Sequence, residues 1–323
     1  MPISFFDADD VEELLDYPGC IEAMRRAMIE LSSGERPQPL RQIFTVGENE
    51  MFGTMPGELR ALSTFGAKLV SVFGDKDRPG RSRHQGVVVA YDGETGAVSC
   101  IADAEPVTKI RTACATAVAT DALARVNSKV LAIFGTGVQA DAHLRALPLV
   151  RPFAEILLWG RSIETTRLFA DKMSKELDRE IRAVSDGKEA ALRADVICTV
   201  TSSPTPVLLG EWVKPGTHVN LVGSSHLGPV EIDTDLVVKA RYVADYRPGA
   251  LAQGAELKVA RDAGKVDDEH VLCEIGDVLA GRVRARENDS QITIYKSLGH
   301  VVQDLASAAY LSRSRQSGSR DRS

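Results

Sequence analysis

The most informative stretch of this chain is Leu131-Ala132-Ile133-Phe134-Gly135-Thr136-Gly137-Val138-Gln139-Ala140. They place a G-x-G-x-x-A pattern directly after an apolar run and directly before a helical pattern. In such a turn the first glycine permits a tight bend, the second lets the backbone approach a pyrophosphate, and the alanine lets helix and strand pack closely. The N-terminus of the helix offers N–H groups to the phosphates. The pattern therefore predicts a dinucleotide-binding loop, with cofactor contacts from Gly135, Thr136, Gly137, Val138 and Gln139.

Strands and helices alternate around this loop. The apolar patterns predict strands at 130–134, 155–159, 181–184, 196–200, 218–221 and 242–244, and helices at 113–125, 135–147, 163–177 and 188–193. Such alternation is typical of βαβ units, which form a parallel sheet with helices on both faces. The sequence thus predicts an α/β fold with a doubly wound, Rossmann-type parallel sheet.

The first part of the chain has a different pattern. Residues 40–105 contain short apolar runs separated by Gly, Pro and Asp, and the break at 92–96 is typical of a β-hairpin. A last helix is predicted at 299–311, and the Ser- and Arg-rich stretch 312–323 is predicted to be a disordered tail. We therefore predict a mixed α+β domain of residues 1–110 plus 300–323, and a Rossmann domain of residues 111–299.

The end of the second predicted strand bears on the choice of cofactor. An acidic residue there would bind the ribose 2′-hydroxyl of NAD. This chain has Arg161 and Ser162 instead, and both side chains are able to meet a 2′-phosphate. The sequence therefore favours NADP, with NAD as the alternative; the alternative view of Arg161 is a solvated residue at a helix start.

Composition narrows the class of protein. The 323 residues carry a net charge of -6, which argues against nucleic acid as a main partner. Spanning a membrane takes about 18 consecutive apolar residues, and the sequence has no such stretch. The acidic start predicts no secretion signal. Scattered cysteines and histidines predict reduced thiols, a cytoplasmic location and no metal site.

Several segments together resemble the ornithine cyclodeaminase/mu-crystallin family. They are Phe65–Phe73, His84–Val89, Ile110–Ala117, the glycine loop, Val219–Ser225 and Tyr295–Gly299. The resemblance covers nearly all of residues 1–311. It implies a Rossmann domain inserted into a substrate-binding and dimerisation domain, a homodimer, and chemistry on a small 2-amino or 2-imino acid with a nicotinamide cofactor.

The same resemblance implies a clamp for the substrate carboxylate, formed by Arg41, Lys68 and Arg111. The residue types suit this task, because an arginine fork and a lysine point charge both bind carboxylates. Lys68 lies in an apolar run, where an unpaired charge is costly, which favours a functional role. Arg111 is expected at the start of a helix, and a solvated position is its alternative. For Arg41 a plain surface role is an equal alternative.

Further site residues follow from the resemblance alone. It implies that Thr112 lies near the cofactor phosphates and Gln85 near the substrate. It also implies nicotinamide contacts for Val222, Gly223 and Gly299. Thr201 follows a strand end, where open α/β sheets bind ligands.

One position departs from part of the family. Cyclodeaminases carry an aspartate shortly after the Val-Gly dipeptide, where it handles the substrate amine. Here that position is Ser225, followed by His226, as in ketimine-reductase-like members. A neutral hydroxyl suits a cyclic imine better than a cationic amine. His226 is able to supply a proton, since its ordinary pKa is about 6.5; an exposed loop histidine is the alternative.

These observations predict an oxidoreductase that reduces a small, cyclic ketimine carboxylate with NAD(P)H, or runs the reverse oxidation. Lys68, Ser225 and His226 are the predicted catalytic residues. One alternative is an ornithine cyclodeaminase that forms proline and ammonia with NAD. Another is a crystallin-like protein that binds NADPH without catalysis. Substrate chemistry, not fold, separates these three.

Overall fold

The computed structural model describes residues 3–34, 37–48, 50–73 and 84–320. The first elements in chain order are β1 (Ser4–Phe6), α1 (Ala8–Leu14), α2 (Tyr17–Leu31), β2 (Gln42–Gly47), β3 (Glu50–Leu59), β4 (Thr64–Phe73), β5 (His84–Asp92), β6 (Val98–Asp103) and α3 (Ala104–Leu123). They are followed by β7 (Val130–Phe134), α4 (Val138–Ala146), β8 (Glu155–Trp159), α5 (Ile163–Leu177), β9 (Arg182–Val184), α6 (Gly187–Arg193) and β10 (Val196–Thr199). The last are β11 (His218–Leu221), α7 (Thr234–Lys239), β12 (Arg241–Ala244), α8 (Arg247–Gln253), α9 (Ala255–Asp262), β13 (Val271–Glu274), α10 (Ile275–Leu279), β14 (Thr293–Lys296) and α11 (Val301–Arg320). Short 3-10 helices lie at Arg60–Leu62, Leu147–Leu149 and Asp268–His270.

The chain divides into two units, one of residues 1–112 and 300–323 and one of residues 113–299. The boundary falls inside α3. Unit 1 is built on a sheet of order β1-β6-β5-β4-β3-β2. All neighbouring pairs are antiparallel except β1 with β6. The predicted hairpin is confirmed between β5 and β6, where the Asp92 carboxylate accepts the Thr95 N–H at 2.8 Å.

Helices cover one face of this sheet. The last helix, α11, packs against β3, β4, β5 and β6, and α2 packs against α11. α2 is capped by Asp16, whose carboxylate accepts the Gly19 N–H at 2.8 Å. Its buried residues recur at helical spacing: Cys20, Ile21, Met24, Ala27, Met28 and Leu31. The helix-covered face of the sheet therefore carries much of the core of unit 1.

Unit 2 confirms the predicted doubly wound sheet. Its order is β13-β12-β14-β11-β10-β7-β8-β9, and every neighbouring pair is parallel. The strand order reverses between β7 and β10, which is where such sheets bind ligands. Strands buried on both faces explain the continuous apolar runs, such as Val130–Phe134, in this half of the sequence.

The predicted disordered tail is wrong for the part that the structure describes. Helix α11 continues to Arg320, well past residue 311; residues 321–323 lie outside the described residues. Arg315 explains the extension, because its guanidinium donates to the Phe5 carbonyl at 2.7 Å, pairs with Asp10 at 2.7 Å and lies 3.9 Å from the centre of the Phe6 ring. Ser312 also donates to the Ala308 carbonyl at 3.0 Å. Composition alone does not reveal such anchoring.

Strands β1, β3, β13 and β14 and helices α7 to α10 were not predicted, and α3 begins at Ala104 rather than at 113. Among the described residues, all five cysteines are free and buried, and no cluster suited to a metal ion is found. No helix in these ranges is long and apolar enough to cross a membrane.

Candidate active site

Two buried cations share one carboxylate in unit 1. Lys68 Nζ lies 3.5 Å and Arg111 Nε 3.1 Å from the same Asp304 oxygen, Oδ1. Lys68 is 5% exposed, Arg111 4% and Asp304 0%. Arg111 also donates from Nη1 to the Gln303 amide oxygen at 2.5 Å, and Lys68 donates to the Thr108 hydroxyl. Removing charges from water is costly unless they are paired, so this pairing explains why the cations are tolerated here.

The sheet and two helices bring this cluster together. Lys68 is the one fully buried residue of β4 and pairs across the sheet with Met55 and Val88. Arg111 lies in the middle of α3 and not at a helix start as predicted, because the helix begins seven residues earlier, at Ala104. The predicted solvated alternative for Arg111 is therefore excluded by its burial.

Burial and like charges alter the protonation of this cluster. Burial lowers the pKa of Lys68 to about 8; Asp304 opposes that shift, whereas Arg111 and Arg41 add to it. Burial also lowers the pKa of His300 to about 4, with Asp304 opposing. At neutral pH Lys68 is thus a cation and His300 is neutral. Arg41 is half-buried, and its charge acts on both groups.

The predicted glycine loop has the backbone that an anion site requires. Gly135 has φ +131°, and an added Cβ would lie 2.9 Å from Val200 Cγ2, so only glycine fits without strain. Gly137 is the N-cap of α4 and provides no side-chain cap, and a Cβ added there would meet no atom within 4 Å. The start of α4 therefore has no side-chain cap and has open space beside Gly137, which fits a dinucleotide pyrophosphate.

The two predicted cofactor residues after β8, Arg161 and Ser162, have different surroundings. Arg161 is exposed. Ser162 caps α5: its hydroxyl accepts the Thr165 N–H at 3.3 Å and donates to the Glu164 carboxylate at 2.9 Å. Because the serine hydroxyl is already engaged, the arginine is the group here with charge to offer a phosphate.

A buried carboxylate, Glu231, joins the ends of β10 and β11. It accepts the Thr201 N–H at 2.6 Å and the Gly223 N–H at 2.7 Å, and also binds the Thr199 and Thr201 hydroxyls and the Ser224 N–H. Burial raises the pKa of Glu231, opposed by these hydrogen bonds. A Cβ at Gly223 would lie 2.0 Å from the Thr201 carbonyl oxygen, so this approach requires glycine. Thr201, Val222 and Gly223 are thereby fixed at the carboxyl edge of the sheet.

Two further buried acids hold the same edge. Lys296, fully buried at the end of β14, binds Glu256 at 2.9 Å and the Ser224 hydroxyl at 2.6 Å. Asp245 accepts the Gly299 N–H at 2.6 Å, and Gly299 has φ +82°. Ser225 is half-buried and His226 exposed in the loop after β11.

Nearly the whole chain matches a known protein family. The model of the ornithine cyclodeaminase/mu-crystallin family matches residues 4–319. The chain belongs to this family. It is 32% identical to the ketimine reductase mu-crystallin of Mus musculus over 320 residues, 98% of each chain.

Two solved structures are similar in fold to nearly the whole chain. One is the Δ1-pyrroline-2-carboxylate reductase of Thermococcus litoralis in complex with NADH and L-proline, with a TM-score of 0.93, 30% identity and 98% of each chain covered. The other is an archaeal alanine dehydrogenase dimer with bound NAD, with a TM-score of 0.92, 29% identity, and 99% of this chain and 98% of that chain covered. The Rossmann-type α/β fold predicted from the sequence is therefore confirmed.

The structure groups some of the residues that the family resemblance implied, but not all. Lys68 and Arg111 share Asp304, and Arg41 acts on Lys68 electrostatically. Gln85 is exposed, and strand alternation places it on the opposite face of the sheet from Lys68, because it lies an odd number of residues from Val88, the partner of Lys68. Thr112 is buried in α3 beside Arg111 in sequence. Their roles stay predictions.

Two buried acids at the candidate site, Asp304 and Glu231, were not predicted from the sequence. Asp304 had a signal: it recurs at helical spacing with Val301, Leu305 and Ala308, so an acid lies on an apolar helix face. Glu231 had only a weak one, as an acid between Val230 and Ile232. Its contacts depend on a chain reversal that local sequence does not specify.

Proposed function

We propose that this protein reduces a small, cyclic ketimine carboxylate of the pyrroline or piperideine type to the amino acid with NAD(P)H, or runs the reverse oxidation. The observation that carries the proposal is the buried group of Lys68, Arg111 and Asp304 with Arg41 nearby. Two cations share one carboxylate and Arg41 adds its charge to Lys68, so the excess positive charge suits a carboxylate ligand. Relatives that act on imino acids support the same activity.

In this proposal each charged residue has a defined task. Arg111, Lys68 and Arg41 bind the substrate carboxylate and so orient its imine carbon. The reduced nicotinamide, when bound, supplies the hydride that adds to that carbon. Lys68 holds a proton on Nζ below a pH of about 8 and is the first choice to pass one to the imine nitrogen. Ser225, through a water, and His226 are the other proposed donors.

The loop that contains Ser225 favours reduction over cyclodeamination. Cyclodeamination must handle a cationic amine, and a carboxylate suits that task better than a hydroxyl. The nearby acids Glu231 and Glu256 are both buried and bonded to the surrounding backbone and to Lys296. Neither is therefore a ready substitute for the aspartate that Ser225 replaces.

Transfer of a deuteride tests the reductase activity directly. Purified protein, NADPH deuterated at nicotinamide C4 and Δ1-pyrroline-2-carboxylate should give proline with deuterium at C2, measured by mass spectrometry. An enzyme transfers hydride from only one face of the nicotinamide ring. The experiment is therefore run with each of the two C4-deuterated epimers of NADPH. Proline without deuterium from either epimer would contradict direct hydride transfer.

For the cofactor we propose contacts to the phosphates from Gly135, Thr136, Gly137, Val138 and Gln139, with Thr112 near them. Thr201, Val222, Gly223 and Gly299 are proposed to contact the dinucleotide elsewhere. Gly137 and the uncapped start of α4 support the first group. Arg161, with Ser162 beside it, gives the preference for NADP, since no carboxylate ends β8 to bind a 2′-hydroxyl.

Arg161→Gln should raise the KM for NADPH about tenfold and leave that for NADH unchanged, because one charge-assisted phosphate contact contributes about 1.4 kcal/mol. Steady-state kinetics with both cofactors measure this. Arg167→Gln, an exposed change in the following helix α5, is the matched control. Equal effects of Arg161→Gln on the two cofactors would argue against a 2′-phosphate contact.

We propose a homodimer formed through the sheet of unit 1. Strand β2 is exposed and carries Ile43, Phe44 and Val46, and Phe65 and Val87 are exposed on β4 and β5. Several exposed apolar side chains on one sheet support an interaction surface there. The archaeal relative described as a dimer supports this assembly.

Phe44→Glu should convert the dimer to monomer, because a buried unpaired carboxylate opposes association. Light scattering after size-exclusion chromatography measures the change. Leu168→Glu, on an exposed apolar residue of α5 in unit 2, is the control and should stay dimeric. A monomeric wild-type protein would refute the assembly.

A further inference from the structure

We propose that Asp304 is the positioning residue that keeps Lys68 protonated and fixes both Lys68 and Arg111 for substrate binding. This inference rests on the function proposed above. It assigns a role to an acid that does not itself need to touch the substrate. The charge of Lys68 is thereby set by the last helix of the chain, far from Lys68 in sequence.

The geometry gives Asp304 two tasks at once. Its Oδ1 lies 3.5 Å from Lys68 Nζ and accepts the Arg111 Nε–H at 3.1 Å. Gln303, the preceding residue, accepts from Arg111 Nη1. The guanidinium is thus held at two of its nitrogen atoms by neighbouring residues of α11.

The charges around Lys68 explain why an acid is needed. Arg111 on α3 and Arg41 before β2 both disfavour a proton on Lys68, and burial does so most strongly. His300, before α11, is neutral near pH 7 and adds no charge of either sign. The flanking strands contribute Met55 and Val88, which are apolar, and Thr108 contributes a hydroxyl. Asp304 is the group that opposes the loss of the proton.

Without the acid, lysine would be the group that loses its charge. Arginine stays protonated in proteins, whereas a buried lysine readily shifts its pKa. A neutral Lys68 would bind a carboxylate weakly and would hold no proton to give to an imine nitrogen. Asp304 thus allows Lys68 both to bind a carboxylate and to donate a proton near neutral pH.

The test measures the titration of Lys68 without depending on activity. The protein is labelled with 13C-lysine, and the Lys68 resonance is assigned by its loss in Lys68→Arg. We expect wild-type Lys68 to titrate near pH 8. Asp304→Asn should lower that midpoint by about 1–3 pH units, the usual effect of an adjacent opposite charge. Asp304→Glu should restore part of the shift, and Asp262→Asn, in an exposed ion pair with Lys258, should have no effect.

The kinetic readout is the alkaline limb of kcat/KM. Reduction should decline above the Lys68 pKa, and the decline should move to lower pH in Asp304→Asn. In a Lys68→Arg background the same substitution should move nothing, because arginine does not titrate in this range. If Asp304→Asn does not fold, Arg111→Gln is measured instead. It removes a like charge and should therefore raise the titration midpoint of Lys68.

The two proposals fail differently. An unchanged Lys68 midpoint in a folded Asp304→Asn protein would overturn the inference, whether or not the enzyme is active. A shifted midpoint in a protein that reduces no imine would retain the inference on Lys68 charge and remove the proposed reaction.

Discussion

Lys68→Met should lower kcat/KM for the imine carboxylate on the order of 100- to 1,000-fold. Loss of one member of a buried charge pair costs about 2–5 kcal/mol, and each 1.4 kcal/mol corresponds to about tenfold in rate. The fold should tolerate this change, because Asp304 keeps Arg111 as a partner at 3.1 Å and methionine fills a similar volume. Steady-state kinetics at saturating NADPH measure the loss.

The control for this variant is Lys109→Met. Lys109 pairs with Glu12 at 3.1 Å near the surface of unit 1, away from the Asp304 contacts, so activity should stay near the wild-type value. NADPH affinity, measured by fluorescence, should be the same in both variants. Wild-type activity in Lys68→Met would show that the carboxylate clamp is wrongly assigned.

Gly137→Asp should abolish tight cofactor binding without harming the fold. Asp is a favourable N-cap residue, and the added Cβ meets open space, so the melting temperature should hold or rise slightly. The same carboxylate would stand where we propose the pyrophosphate lies. Two like charges about 4 Å apart repel by about 4 kcal/mol at an effective dielectric constant of about 20, so NADPH affinity should fall by at least about 100-fold.

Gly137→Ala separates the effect of side-chain size on NADPH affinity from the effect of charge. It adds only a methyl group and should weaken NADPH binding much less than the aspartate does. Fluorescence titration with NADPH and thermal unfolding are measured on both variants. Full NADPH affinity in Gly137→Asp would place the pyrophosphate somewhere other than the start of α4.

The fold of unit 2 was largely readable from the sequence. Buried parallel strands such as Val130–Phe134 and Glu155–Trp159 are short apolar runs bounded by glycine, and helix Ile163–Leu177 repeats at helical spacing. The glycine loop was specific because it needs a positive φ at Gly135. Local constraints of this kind are visible in local sequence.

The charge arrangement in the site was readable only in part. The lone Lys68 in an apolar strand indicated a paired charge. Its partner Asp304 is 236 residues away in the chain, in the segment that returns to unit 1 after unit 2. Glu231 reaches back to Thr201 and Gly223 through a loop whose path depends on tertiary contacts. Helix α11 beyond residue 311 was missed for the same reason, since Arg315 is held by residues near the chain start.

The most direct test of the account is a parallel assay of purified protein for two reactions. One arm follows NADPH loss with Δ1-pyrroline-2-carboxylate, Δ1-piperideine-2-carboxylate, and 2-oxo acids with ammonia or methylamine. The other follows ammonia and proline release from ornithine with NAD. We predict NADPH loss with a cyclic imine carboxylate and no ammonia from ornithine. Ammonia and proline from ornithine would contradict the account, as would tight NADPH binding with no turnover of any substrate.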